Sequence, residues 1–241
     1  MTAVGPTRTG VILAGDAVAT PLVRALAGDF TAGNPGAPIT VAAPLGTEGA
    51  LLALDARRLS AALVVTTGPE PPRPGAFFLG RTRVVVAVGP GVRERALDGA
   101  ALVALFAGRT SQWADSLPVH VLLGASGDAP ERALSDVLPA LGGAIEDARG
   151  AHRWPVESGA DTRRSRLERT PGSVTIAAEG NLRLEGTAAW MVTLKDVPTA
   201  HVFLWLVLGT DAEPRLRALA RFTASTAAHS IMSDFGFEPA P

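Results

Sequence analysis

At 241 residues, 47% of them hydrophobic and 19% charged, the chain is long enough for one large domain or two lobes with real cores. Its 22 basic and 23 acidic residues leave a net charge of −1, so no global field steers it towards nucleic acid or an anionic membrane. Cysteine is absent, which excludes disulfides, thiolate metal sites and a cysteine nucleophile. The start, Met1-Thr-Ala-Val-Gly-Pro-Thr-Arg8, lacks the charged segment and apolar core of a secretion signal. No apolar run approaches the roughly 20 residues of a spanning helix. Either the protein is cytoplasmic, or a signal or lipid anchor preceded it and was removed, placing it in the periplasm or outside the cytoplasm.

Thr9 to Ala14 is an apolar run ending in Gly15-Asp16, a buried strand followed by a turn. Thr20-Pro21 predicts a helix start, with threonine as N-cap and Leu22, Val23, Leu26 and Phe30 as its buried stripe. Asn34-Pro-Gly-Ala-Pro38 breaks the chain before a strand over Ile39 to Ala43. Pro44 to Ala50 forms a glycine turn that opens a helix from Leu51 to Leu59, and Ala61 to Val65 is the next strand, ending in Thr66-Thr67-Gly68. Strand–helix–strand–helix–strand argues for a parallel sheet whose carboxyl-end loops are open to a ligand.

Leu79 to Val88 predicts a long strand that carries the chain out of the first lobe. Beyond it, Leu102, Leu105 and Phe106 recur at helical spacing in a helix that stops at Gly108, with Arg109 placed to complement its C-terminus. A strand over Val119 to Leu123 and a helix near Arg132 to Leu141 follow. Residues 143–171 are polar, and Arg163, Arg164, Arg166 and Arg169 read as a solvated face. Val174 to Ala178, Thr187 to Val192 and Val202 to Leu208 are strands, and Pro214 to Ala228 is a single closing helix.

Several fragments in order resemble the phosphate-type (PstS-like) solute-binding proteins of ABC transporters. Ala100 to Asp115, a helix followed by Gly108 and Trp113, resembles the family's IF-x-G-x-x-x-x-W-x-D signature. Gly15 to Phe30 with Asn34-Pro-Gly36, Leu45-Gly-Thr-Glu-Gly49, Thr170-Pro-Gly-Ser173 and Ile231 to Pro239 resemble its opening, its G-S-x-G turn, its return segment and its close. The resemblance implies a two-lobed α/β fold of the type II periplasmic-binding-protein class, each lobe a mainly parallel sheet flanked by helices. It also implies a discontinuous first lobe (1–84 and 180–241) around a second (85–179), a ligand bound between them, and an ABC permease or sensor as partner.

Carried over by position, the resemblance puts ligand contacts at Ala17 and Val18 (backbone N–H only), Thr47, Thr66 or Thr67, and Ser126, Gly127 and Asp128. Relatives have an aspartate at 66 or 67 and an arginine ahead of Ser126, where this chain has Leu122-Leu-Gly124. A charge-assisted contact is worth about 1.5–3 kcal/mol, so its loss argues for a small polar or anionic ligand other than free phosphate. An arginine of the 163–169 cluster is the candidate substitute. Asp16, Glu48 and Asp128 also bring negative charge near the cleft.

Local roles compete with these. Thr47 and Glu48 also suit a helix cap, Ser126 to Asp128 a turn before Pro130, Asp16 a helix-start anion and Trp113 plain packing. The four histidines lack metal-ligand spacing, Ser126 lacks a nucleophile elbow, and no dinucleotide or Walker glycine motif is present, so the chain is read as neither an enzyme nor a cofactor carrier. The competing reading is an accessory protein that kept the fold and lost its ligand.

Overall fold

The computed structural model describes residues 11–35, 39–157 and 159–239. The first part alternates strand and helix: β1 (Val11–Gly15), α1 (Thr20–Gly33), β2 (Ile39–Val41), α2 (Gly46–Asp55) and β3 (Ala61–Thr66). β1 pairs in parallel with both β2 and β3. Thr9, and residues 36–38 of the chain break, lie outside the described residues.

α1 buries Leu22, Val23, Leu26 and Phe30 as their spacing requires, but Thr20 is its first residue rather than its cap. The Thr20 hydroxyl donates to the Asp16 carbonyl, 2.9 Å away. α2 starts at Gly46, five residues earlier than its apolar stripe suggests, because the glycine turn itself supplies the first helical turn.

β4 (Phe77–Val88) is the spine. Its first half, to Arg83, pairs antiparallel with β11 (His201–Leu208) and β12 (Phe237–Glu238). From Val84 onward it pairs antiparallel with β9 (Ser173–Ala178), and at Val86 to Val88 with β10 (Trp190–Lys195). β10 continues in parallel to β5 (Ala96–Asp98), and β11 ties β4 to β3. One curled sheet of ten strands therefore runs through both parts, with parallel ladders at its two ends and antiparallel crossing strands in the middle.

α3 (Gly99–Phe106) buries Leu102, Leu105 and Phe106 and ends at Gly108, whose φ of +70° is the left-handed value that favours glycine. Its last carbonyls are served from a distance. The Trp154 indole N–H donates to Phe106 O at 2.8 Å, and Arg153 donates to Ala107 O, so Arg153 takes the C-terminal role expected of Arg109.

The predicted strand 119–123 is broken into β6 (His120–Val121), which pairs with β9, and β7 (Leu123–Gly124), which pairs with β8 (Val156–Glu157). The helix near 132–141 is two, α4 (Ala129–Val137) and α5 (Pro139–Gly150). Proline at 139 forces Leu138 out of helical geometry, to φ −136° and ψ 75°. The polar stretch contains α6 (Ala160–Arg169), whose buried anchors are Arg163 and Leu167 at helical i, i+4 spacing.

The chain then runs through β9, α7 (Glu179–Leu184), β10 and β11 to α8 (Pro214–Phe222) and α9 (Thr226–Asp234). The closing helix splits because the Ser225 hydroxyl accepts from Ala228 N–H and caps a fresh start. No helix among the described residues is long and apolar enough to cross a membrane.

Trp113 is 5% exposed, and its indole N–H donates to Gly172 O at 2.9 Å. Gly172 has φ +75°, and a Cβ there would sit 2.0 Å from Pro118 O. The tryptophan of one recognised fragment is thus bonded to the Thr170-Pro-Gly172 return of another. Trp205, 6% exposed, is core as its apolar strand predicts, whereas Trp190 is exposed with the Arg95 guanidinium 4.3 Å above its ring.

Candidate functional site

The carboxyl ends of β1, β3 and β7 and the helix starts that follow them border a cleft of about 750 Å³. Asp16 to Val18 enter it ahead of α1, and Pro44 to Gly49 carry the start of α2. Val65 and Thr67 close β3. Ala125 to Ala129 with Arg132 form the start of α4, and Gly159 with Arg163 that of α6. The first turn of a helix has N–H groups without intrahelical partners and a positive dipole end, so this is an anion-friendly concavity. The starts of α2 and α6 carry no side-chain cap.

Asp16 is fixed by close packing of the backbone behind it. A Cβ on Gly15 would lie 2.0 Å from Leu63 O, so only glycine lets β1 approach β3 at this point. Asp16 Oδ1 accepts from Val18 N–H at 2.9 Å, and Thr47 Oγ1 donates to Oδ2 at 3.1 Å. Thr47 Oγ1 in turn accepts from Val65 N–H at 3.2 Å. Thr47 therefore does not cap α2; it joins three strand-end segments. Burial pushes the Asp16 carboxyl above the ordinary aspartate range, and the nearby Asp128 charge adds to this. The Val18 and Thr47 hydrogen bonds and Arg163 oppose the shift without cancelling it.

On the facing side, Asp128 caps α4 by accepting from Glu131 N–H at 3.3 Å, and Arg163 donates to its Oδ2 at 2.8 Å. Glu131 lies behind the pair, 3.7 Å from Arg163 and bonded to Arg149. Burial and the Asp128 charge raise the Glu131 carboxyl, against the Gly124 N–H bond and the two guanidiniums. Gly124 is the floor of this cluster: a Cβ there would lie 2.4 Å from Arg163 Nη1 and 2.5 Å from Asp128 Cγ.

Of the residues expected from sequence, Ala17, Val18, Thr47, Thr67, Ser126, Gly127 and Asp128 line the cleft together. Thr66 does not. Its hydroxyl donates to Gly68 O at 2.7 Å and accepts from the Trp205 indole N–H at 2.9 Å, which turns it into the wall behind Thr67. The expected solvated arginine face is corrected at Arg163, which is 7% exposed, although Arg166 and Arg169 are exposed. The cleft consequently does contain a guanidinium, from α6 instead of the loop before Ser126. Arg132 and Glu157 also line it and were not singled out; Glu157 is paired with Arg166 at 2.5 Å. No signal marked Arg132. Arg163 had one, the i, i+4 spacing to Leu167, the lone aliphatic residue in a run of charges.

No group of histidine, aspartate and glutamate among the described residues is arranged to hold a metal ion. No family model and no curated relative matches the chain. Solved structures do. A protein described as a phosphate ABC transporter substrate-binding protein of Clostridium perfringens, solved with bound phosphate, superposes with a TM-score of 0.78. The identity is 10%, over 97% of this chain and 100% of that one. The chain has the fold of the phosphate-type solute-binding proteins. An ABC-type phosphate transport receptor of Vibrio cholerae matches at TM-score 0.60 and 11% identity, over 95% and 100% of the two chains. Peb3 of Campylobacter jejuni matches at 0.62 and 9%, over the same shares, and one PEB3 structure holds L-phospholactate. Asp16 and Arg163 both line the one cleft.

Proposed function

We propose that the chain is a solute-binding protein that takes a small anionic ligand, with organic substituents, between its lobes. The observation that carries this reading is the convergence of four helix starts on one cleft that also contains Arg163 and Arg132. At about 750 Å³ the cleft falls in the range of small-molecule sites and leaves room beside an anionic head. The phosphate and L-phospholactate held by structural neighbours agree in chemical class. The lobes are 1–84 with 180–241, and 85–179, hinged where β4 exchanges partners between Arg83 and Val84; β10 returns to the second lobe's side of the sheet. Binding and release need no bond to be made or broken, and the partner is an ABC permease or a sensor outside the cytoplasm.

One observation favours the accessory-protein reading: Asp128 already engages the Arg163 guanidinium. Calorimetric titration and thermal shift with inorganic phosphate, L-phospholactate and unphosphorylated L-lactate separate the two. A ligand that binds only the native state raises the melting temperature. The receptor reading expects a response to at least one phosphorylated anion, diminished in Arg132→Met. Absence of any response to all three would favour the accessory reading.

A further inference from the structure

The Thr47 hydroxyl is the one side-chain donor on the α2 side of the cleft that is held in place by two partners, and this arrangement gives its single hydrogen a conditional direction. Oγ1 accepts from Val65 N–H and lies 3.1 Å from Asp16 Oδ2. A hydroxyl has one hydrogen and two lone pairs. When Asp16 is a carboxylate, that hydrogen must be spent on Oδ2, and a ligand in the cleft finds no hydroxyl donor at Thr47. When Asp16 is the neutral acid, its own O–H donates to Oγ1; both lone pairs of Thr47 are then filled, and its hydrogen is released towards the cleft that Thr47 lines.

We propose that Asp16 is a specificity-determining residue, which admits an anion only as the neutral acid, so that wherever free Asp16 is ionised each anion bound at Thr47 brings one solvent proton onto Asp16. This rests on the anionic-ligand reading of the cleft. The surroundings act in the same direction. Asp128, at the start of α4, repels a charge on Asp16 and Glu131 lies in the same cluster. Arg163 from α6 attracts that charge but is already shared between these two acids. From α2 comes the exposed Glu48, a further negative charge, and from β3 only the backbone N–H of Val65. A carboxylate at 16 would also oppose the ligand's own charge directly. Oδ1 accepts from Val18 N–H, and Oδ2 is the oxygen that faces Thr47 Oγ1, so the proton that donates to Thr47 sits on Oδ2.

Asp16→Asn is the diagnostic change. Its amide oxygen can keep the Val18 bond while its NH₂ donates permanently to Thr47 Oγ1, which mimics the neutral acid at every pH. Titrations with inorganic phosphate and L-phospholactate from pH 4.5 to 8.5, in two buffers of different ionisation enthalpy, compare wild type with Asp16→Asn, so that the ligand's own ionisation cancels. Wild-type affinity should fall relative to the variant by about tenfold per pH unit above the Asp16 titration, with one extra proton taken up. In the Asp16→Asn background, Thr47→Val should weaken binding about ten- to a hundredfold, and Thr47→Ser should not. Parallel pH profiles of wild type and Asp16→Asn, or an unaffected Thr47→Val, would overturn the proton-coupled selection while leaving the receptor reading intact. If neither protein binds either anion at any pH, the anionic-ligand reading itself falls, and this inference with it.

Discussion

Replacing Arg163 with methionine should be the most damaging single change in the cleft, and its cost should depend on pH in a defined direction. The side chain is 8% exposed and its partner Asp128 is 14% exposed, so solvent cannot take over from the lost charge. Removing one member of a buried pair costs about 3–5 kcal/mol, because the other charge stays buried without a counterion. For a chain of this size, that corresponds to a fall of about 6–20 °C in melting temperature. The loss reaches beyond Asp128, since Arg163 also opposes the upward shifts of Asp16 and Glu131. In the variant, these carboxyls should titrate higher still. An acid whose folded titration point lies above its unfolded one destabilises the fold as pH rises through that interval, and has no effect below the unfolded value. The penalty should therefore be larger at pH 8 than at pH 5, and Asp128→Asn in the same chain should recover part of it. Urea unfolding at both pH values measures the difference. A variant within about 1 kcal/mol of wild type at both would refute the claim that Arg163 holds the cluster together.

Four further outcomes follow from the same geometry. Gly124→Ala should force apart the Arg163–Asp128 pair, at about 1–3 kcal/mol of overpacking, and weaken anion binding in calorimetry more than an alanine elsewhere on the cleft rim. Thr67→Val should lower ligand affinity while Thr66→Val leaves it unchanged and instead costs stability through Trp205; titration and thermal melting of the two side by side distinguish them. Trp113→Phe should cost about 1 kcal/mol from the lost bond to Gly172 O, which keeps a second donor in His120 N–H, with no change in ligand affinity. Glu179, buried at the end of β9, is held below its ordinary value of 4.5 by Arg83 and Arg183 in spite of its burial. Glu179→Gln should therefore lose on the order of 1 kcal/mol at neutral pH, discounted because both guanidiniums are half-exposed, and the difference should vanish as pH falls below 4.5 through the folded titration.

Most of the scaffold was legible because its strands are continuous apolar runs and its first helices carry apolar stripes at the 3.6 period, both of which local rules read directly. The strands β3, β4, β9 and β11 and the helices α1 and α3 fall where those patterns put them, to within a few residues. The misses share a cause. The helix pairs α4/α5 and α8/α9 look continuous in apolar spacing, and only Pro139 and Ser225 interrupt them. The strand 119–123 breaks because Leu122 is still bonded to β9, with its N–H donating to Val174 O, while the Leu123 N–H already donates to Pro155 O; a change of partner leaves no mark on local hydropathy. α6 escaped notice because its mean composition is polar and one of its two buried anchors is an arginine.

That last case explains why the ligand contacts were harder to read than the fold. The loops at positions 17, 18, 47, 67 and 126–128 sit at strand ends, and any chain with this topology brings them to one cleft, so their convergence follows from order alone. The charge of the cleft does not. Arg163 is 35 residues from the Asp128 it meets, on an element that local pattern did not mark. The segment ahead of Ser126, where the resemblance puts an arginine, reads Leu122-Leu-Gly124, and the bare Cα of Gly124 makes room for the guanidinium arriving from α6. The segment that lacks the arginine thus also carries the small residue that admits Arg163, a link that becomes visible only when the distance between Gly124 and Arg163 is known. Gly124→Arg tests that directly. An arginine restored to the loop would collide with Arg163, so the single variant should be destabilised, whereas Gly124→Arg combined with Arg163→Ala should regain stability and anion binding together. Recovery of neither property in the double variant would show that the two arginine positions are not interchangeable supports for the same charge.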